Sequence, residues 1–169
     1  MGAVIREPMP TDHPLQRALD EWLPDSDFAV LSHGFAPHGR DYVMVVQADG
    51  TYELTLTHVT DLRYETRVGD EVWPESWDEH YTDYQAWLAA DEPDGYVWGT
   101  NWSLAYPGLR LLAGDAGAAV WSERLGRPMH ALALETERFA LRLVFHDARA
   151  RRLSDDRSII ERALRPVEP

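Results

Sequence analysis

Apolar positions along this chain recur mostly at every second residue. In TYELTLTHVTDLRYETRV, Tyr52, Leu54, Leu56, His58, Thr60, Leu62 and Tyr64 alternate with Glu53, Thr55, Thr57, Asp61, Arg63 and Glu65. That is the period of a strand with one buried face and one wet face, and it predicts one long strand over 51–66. DFAVLSHGF places Ala29, Leu31, His33 and Phe35 on one side of a second strand, and YVMVVQ reads as a third. Asp49-Gly50, between YVMVVQ and the long strand, is a strong short-range hairpin signal. MHALALET and RFALRLVFHDAR add two more strands joined by a turn at Glu137 and Arg138, with Phe139, Leu141, Leu143 and Phe145 on one face and His146 in the opposite phase.

A period near 3.6 replaces the alternation in three places. Leu15, Leu19, Trp22 and Leu23 share one face of a helix over 12–23, which Thr11 or Asp12 caps and Pro24 ends. Trp73, Trp77, Tyr81, Tyr84 and Leu88 form one stripe of a helix over 74–90. AGAAVWSERLG reads as a helix over 115–125 with Gly126 just past its end. In VWGTNWSLAYPGLR, Trp98, Trp102 and Tyr106 share a side if the stretch is helical, and Trp98 and Trp102 still do if it is a strand. Large aromatics in such a row are read first as core and second as a ligand cage, with Arg110 near enough to orient a ligand. The expectation is an α+β single domain, a mainly antiparallel sheet of about five strands covered by short helices. Residues 1–26 carry the N-terminal helix, 27–153 the sheet and helix core, and 154–169 a C-terminal helix and tail.

Charge narrows the function classes. Sixteen basic residues, all arginine, stand against 29 acidic ones for a net −13. Nucleic acid is an unexpected partner for such a chain, because cations that neutralise phosphates supply most of that affinity. There is no cysteine, which removes disulfides, thiolate metal sites and cysteine nucleophiles and suits a reducing cytoplasm. No signal peptide and no run of ~18 apolar residues stands out, so no membrane association is expected. The acids are unevenly spread: between Arg67 and Arg110 no arginine occurs, while Glu75, Asp78, Glu79 and Asp83 fall largely off the aromatic stripe of their predicted helix.

Candidate chemistry is sparse. His33, His38, Asp41, His58, His146 and Asp147 are the residue types that bind zinc or non-haem iron, and His33, His58 and Asp41 are the best set. None of the recognised ligand spacings occurs, so His33 and His58 are read first as hydrogen-bonded core or rim histidines. No GxSxG elbow or glycine-rich phosphate loop is present. No catalytic residue and no cofactor is assigned.

HGFAPHGRDY, THVTDLRYET, WGTNWSLAYPGL, WSERLGRPMH and LVFHDAR, in that order over roughly residues 27–149, resemble the YxiG-like domain family of bacterial proteins. The resemblance implies a shared fold and no particular activity. The residues therefore point first to a non-enzymatic, immunity-like interaction protein whose acids at 75, 78, 79 and 83 meet a cationic protein partner. The alternative is a small metal-dependent enzyme or ligand binder near His33 and His58, with His38, Trp98, Trp102 and Arg110 as further lining.

Overall fold

A computed structural model describes residues 14–22, 28–67, 84–91 and 102–163. Eight strands lie among them: β1 (Phe28–Phe35), β2 (Tyr42–Gln47), β3 (Thr51–Thr57), β4 (Asp61–Thr66), β5 (Ser103–Leu112), β6 (His130–Thr136), β7 (Phe139–Phe145) and β8 (Asp147–Ser154). Four helices accompany them: α1 (Pro14–Trp22), α2 (Tyr84–Ala89), α3 (Ala116–Leu125) and α4 (Ser158–Ala163). The architecture is mainly antiparallel with short helices, as expected, but eight strands replace the expected five. Three causes account for the difference. The stretch 51–66 breaks into β3 and β4, the segment after Phe145 continues as a separate β8, and the aromatic stretch around Tyr106 becomes β5.

The strands follow the order β4-β7-β6-β5-β1-β2-β3-β8, with every neighbouring pair antiparallel. The two ends of that order are joined through the chain. β3 runs on into β4 and β7 into β8, so the segment 51–66 lies antiparallel to 139–154 along its whole length. Backbone bonds from His146 N–H to Thr57 O and from Thr60 N–H to Val144 O, both 2.9 Å, carry the ladder across the joint. Following the pairings from β4 to β8 thus returns to the same two segments, and the sheet closes on itself as a barrel does. Its interior is one core: Phe28 and Val30 from β1, Met44 and Val46 from β2, Leu54 and Leu56 from β3, Leu111 from β5, Leu132 and Leu134 from β6, and Phe139, Leu141, Leu143 and Phe145 from β7.

Local irregularities decide which side chains reach that core. In β1 the register shifts between Val30 and Ser32, so Ala29 and Leu31 do not share a face with His33 as the plain alternation predicts. The bulge turns His33 inward, opposite the buried Met44, because one extra residue flips the phase of everything after it. Pro107 and Gly108 sit where β5 shifts register against β6, between Ala105 and Gly108; a bulge tolerates a residue with no N–H to give. The Asp49-Gly50 hairpin forms, yet Gly50 is absent from the positive-φ glycines. Its glycine is needed for space: a Cβ there would lie 2.8 Å from the Ser154 carbonyl oxygen on β8.

The helices close the outside. α1 delivers Leu19 into the core, and Gln16 Oε1 accepts the Leu111 N–H at 3.2 Å. α3 starts at Asp115, whose side chain accepts from Ala118 N–H, and stops at Gly126 with φ 61°, a left-handed stop that glycine adopts readily. It covers Ala131 and Val144 on the outer face of β6 and β7. The buried Gln47 side chain accepts the Ile159 and Ile160 N–H groups at 2.6 and 3.1 Å, docking the first turn of α4. Among the described residues no helix is long and apolar enough to cross a membrane.

Candidate functional site

One end of the barrel is lined by rings. His33 at the end of β1 and Tyr42 at the start of β2 lie two residue pairs apart along the ladder, since His33 opposes Met44, Gly34 opposes Val43 and Phe35 opposes Tyr42. Their side chains meet directly, His33 Nδ1 to Tyr42 Oη at 2.6 Å. Across the interior, from strands that do not neighbour β1, come Phe139 of β7, with its ring centroid 4.7 Å from His33, and Tyr64 of β4, at 6.0 Å. Tyr64 also stacks on Phe139 at 5.3 Å, and Phe35 meets Tyr42 edge-on at 5.2 Å. Tyr42 and Phe139 are buried and His33 is half-buried. Phe35 and Tyr64 are 49% and 48% exposed, so the ring array opens to solvent at these two residues.

Among the described residues, the groups lining the mouth carry no formal charge near neutral pH. Burial lowers the His33 pKa below its ordinary 6.5, because a low-dielectric site disfavours the imidazolium. Burial, with the nearby Tyr64 hydroxyl, pushes Tyr42 up to about 12, and burial also raises Tyr64. Tyr42 occupies His33 Nδ1, and among the described residues no hydrogen bond to Nε2 is made. The unit can present Nε2 as a donor or an acceptor, because a tyrosine hydroxyl both gives and takes. With only weakly acidic phenols and a depressed imidazole, it is suited to recognition by stacking and hydrogen bonding.

The other candidates are placed elsewhere. His58 is exposed, not core-facing: at φ 51° it sits in the joint between β3 and β4, its N–H bonded to Asp41 Oδ1 at 3.0 Å. Asp41 also lies 3.5 Å from His38 Nε2, so Asp41, His38 and His58 gather at one loop while His33 belongs to the mouth. His146 gives its ring contact to the Pro128 carbonyl at 2.7 Å and lies 6.0 Å from His58. Among the described residues no group of three metal-binding side chains converges, and the set His33, His58 and Asp41 is not brought together. Arg110 faces outward in an ion pair with Glu135 at 2.8 Å, and Arg67 joins the same carboxylate at 2.7 Å. Trp102 is half-buried just before β5, and Tyr106 is 71% exposed, outside the core. Trp98, the acids at 75, 78, 79 and 83, and the first part of the predicted helix over 74–90 fall outside the described residues.

A second concavity lies on the outer face of β4, β7 and β6. Ala133 and Ala140 form its floor, Arg63, Glu65, Glu135 and Arg142 its walls, and its volume is about 240 Å³. Its strongest charges are already matched: Glu135 by two arginines, and Arg142 by Asp61 and the buried Asp115.

Sequence reasoning placed Phe35 beside His33 but missed Tyr42, Tyr64 and Phe139 as its companions. Tyr42 comes from the neighbouring β2, and the closure of the sheet brings Tyr64 of β4 and Phe139 of β7 to the same place. The fold and its site define a small antiparallel barrel with an uncharged aromatic mouth. Residues 11–162 match the YxiG-like protein family, and the chain belongs to that family. No curated protein and no solved structure matches it.

Proposed function

We propose that this is a non-enzymatic binding protein that meets a cationic protein partner through its negative surplus, in the cytoplasm that a cysteine-free chain suits. An immunity-like role, in which a basic protein is held inactive, is one form of that activity. The observation that carries the reading is the division of charge. The described residues hold 14 arginines and 16 acids, whereas all the others together hold 2 arginines and 13 acids. Within the described part, arginines are tied to acids at Glu53, Asp61, Asp115, Glu135, Asp155 and Glu161. The described residues are nearly charge-balanced, and most of the surplus lies in the rest of the sequence, chiefly within 68–94. Such a concentration raises the encounter rate with a basic partner over roughly a Debye length, ~8 to 10 Å.

The test reverses Glu75, Asp78, Glu79 and Asp83 to arginine together. The folded signal should persist while capture of basic proteins from a lysate weakens, most at low salt, because exposed charges act chiefly on association. Capture of the same proteins with the same salt sensitivity would contradict the reading. A second reading, binding of a small ligand, is favoured at His33 by its Nε2, which makes no hydrogen bond among the described residues, near two half-exposed rings. His58 lies apart from that pair, in the joint between β3 and β4 with its backbone N–H on Asp41.

A further inference from the structure

Resting on the reading of a cationic partner, we propose that the aromatic mouth formed by Phe35, Tyr64, His33 and Tyr42 seats a guanidinium side chain of that partner. Phe35 and Tyr64 are half exposed, and aromatic faces carry the negative end of a quadrupole that attracts cations. No cation of the described chain competes for them: among the described residues no arginine lies over either ring. The chain uses the same contact on itself, with Arg152 over Tyr52 at 5.5 Å and Arg124 over Trp121 at 5.1 Å.

The polar pair at the base suits the same occupant. When His33 Nδ1–H donates to Tyr42 Oη across their 2.6 Å contact, Nε2 becomes an acceptor, and a guanidinium brings five N–H donors in one plane. The mouth thus offers a planar cation two kinds of group, exposed aromatic rings and a ring-nitrogen acceptor. Anionic ligands are disfavoured, since the chain carries −13 overall and the mouth itself offers no positive charge.

The experiment titrates the whole protein with the peptide Gly-Gly-Arg-Gly-Gly and with its citrulline isostere, which keeps the shape and loses the charge, following the ring resonances of Tyr64 and Phe35. The arginine peptide should shift them saturably and the citrulline peptide should bind at least about fivefold more weakly. Tyr64→Ala should weaken arginine binding by about three- to tenfold while Tyr64→Phe retains it. Phe35→Ala, at the opposite side of the mouth, gives an independent loss if Tyr64→Ala unfolds the chain. Equal affinity for the two peptides, no saturable shift, or unchanged affinity in both alanine variants would overturn the proposal. The same titration on the variant with four reversed acids separates the two ideas. Retained peptide binding without salt-dependent capture removes the acidic surface and leaves the mouth; salt-dependent capture without peptide binding removes the mouth alone.

Discussion

On the outer face of β7 two carboxylates flank one guanidinium, whereas inside the mouth a histidine and two tyrosines meet without a formal charge. Arg142 reaches Asp61 at 3.2 Å on one side and Asp115 on the other, and the Asp115 side chain is fully buried. Asp115 has the Arg142 guanidinium beside it and also takes the Ala118 N–H at the start of α3. His33 has only neutral neighbours among the described residues, so burial shifts its equilibrium and that of Tyr42 toward the uncharged forms. The two regions solve one problem, polar groups out of water, by pairing in one case and by neutralisation in the other. At the paired site the charges are matched within the chain, and at the mouth no formal charge needs a match.

Leu56→Ala has the largest expected effect, about 2 to 5 kcal/mol of stability, because Leu56 is fully buried opposite Tyr42 and Ala148 in the core that both regions share. Chemical denaturation measures it; a loss no greater than that of a surface variant would refute the register of β3. Arg142→Ala follows at about 3 kcal/mol, since it leaves the buried Asp115 without its cation. Adding Asp115→Asn should recover part of that loss, and an equal or greater loss in the double variant would show that the pair does not act through charge.

Tyr42→Phe removes one hydrogen bond and no charge, so about 0.5 to 1.5 kcal/mol is expected. The smallest effect is on pH dependence. The His33 pKa is lower in the folded state than its ordinary 6.5, so the unfolded chain binds the proton more readily. Stability from this group is complete above 6.5 and is lost as pH falls through 6.5 toward the folded value. Denaturation midpoints at several pH values in wild type and His33→Gln should converge in acid, and parallel curves would contradict this.

Much of the barrel is legible in the sequence because alternation survives wherever one face is buried. The inward set Leu54, Leu56, Leu62 and Tyr64 keeps even numbers across the joint at His58, so the break between β3 and β4 leaves no trace in the periodicity. It is marked only by the positive φ at His58 and the Asp41 bond beneath it. β8 is hidden for another reason: DARARRLS turns only Ala148 and Ala150 toward the core and shows arginines elsewhere, and it is held by pairing with β3 rather than by large apolar side chains. Within the site, His33 could be found from its place among apolar residues. Its partners could not, because the bulge in β1 and the closure that brings β4 and β7 opposite β1 are long-range features.

The proposed seat for a guanidinium rests on a neutral mouth, and the pKa of His33 reads that neutrality most directly. Among the described residues the titratable groups facing the ring are Tyr42 and Tyr64, both protonated through neutral pH, so the His33 curve reports the mouth and its occupant. Nuclear magnetic resonance titration should place the His33 midpoint below 6.5 in the free protein and move it further down when the arginine peptide saturates the site, with no movement for the citrulline peptide. A midpoint at or above 6.5, or one that arginine leaves in place, would contradict the account.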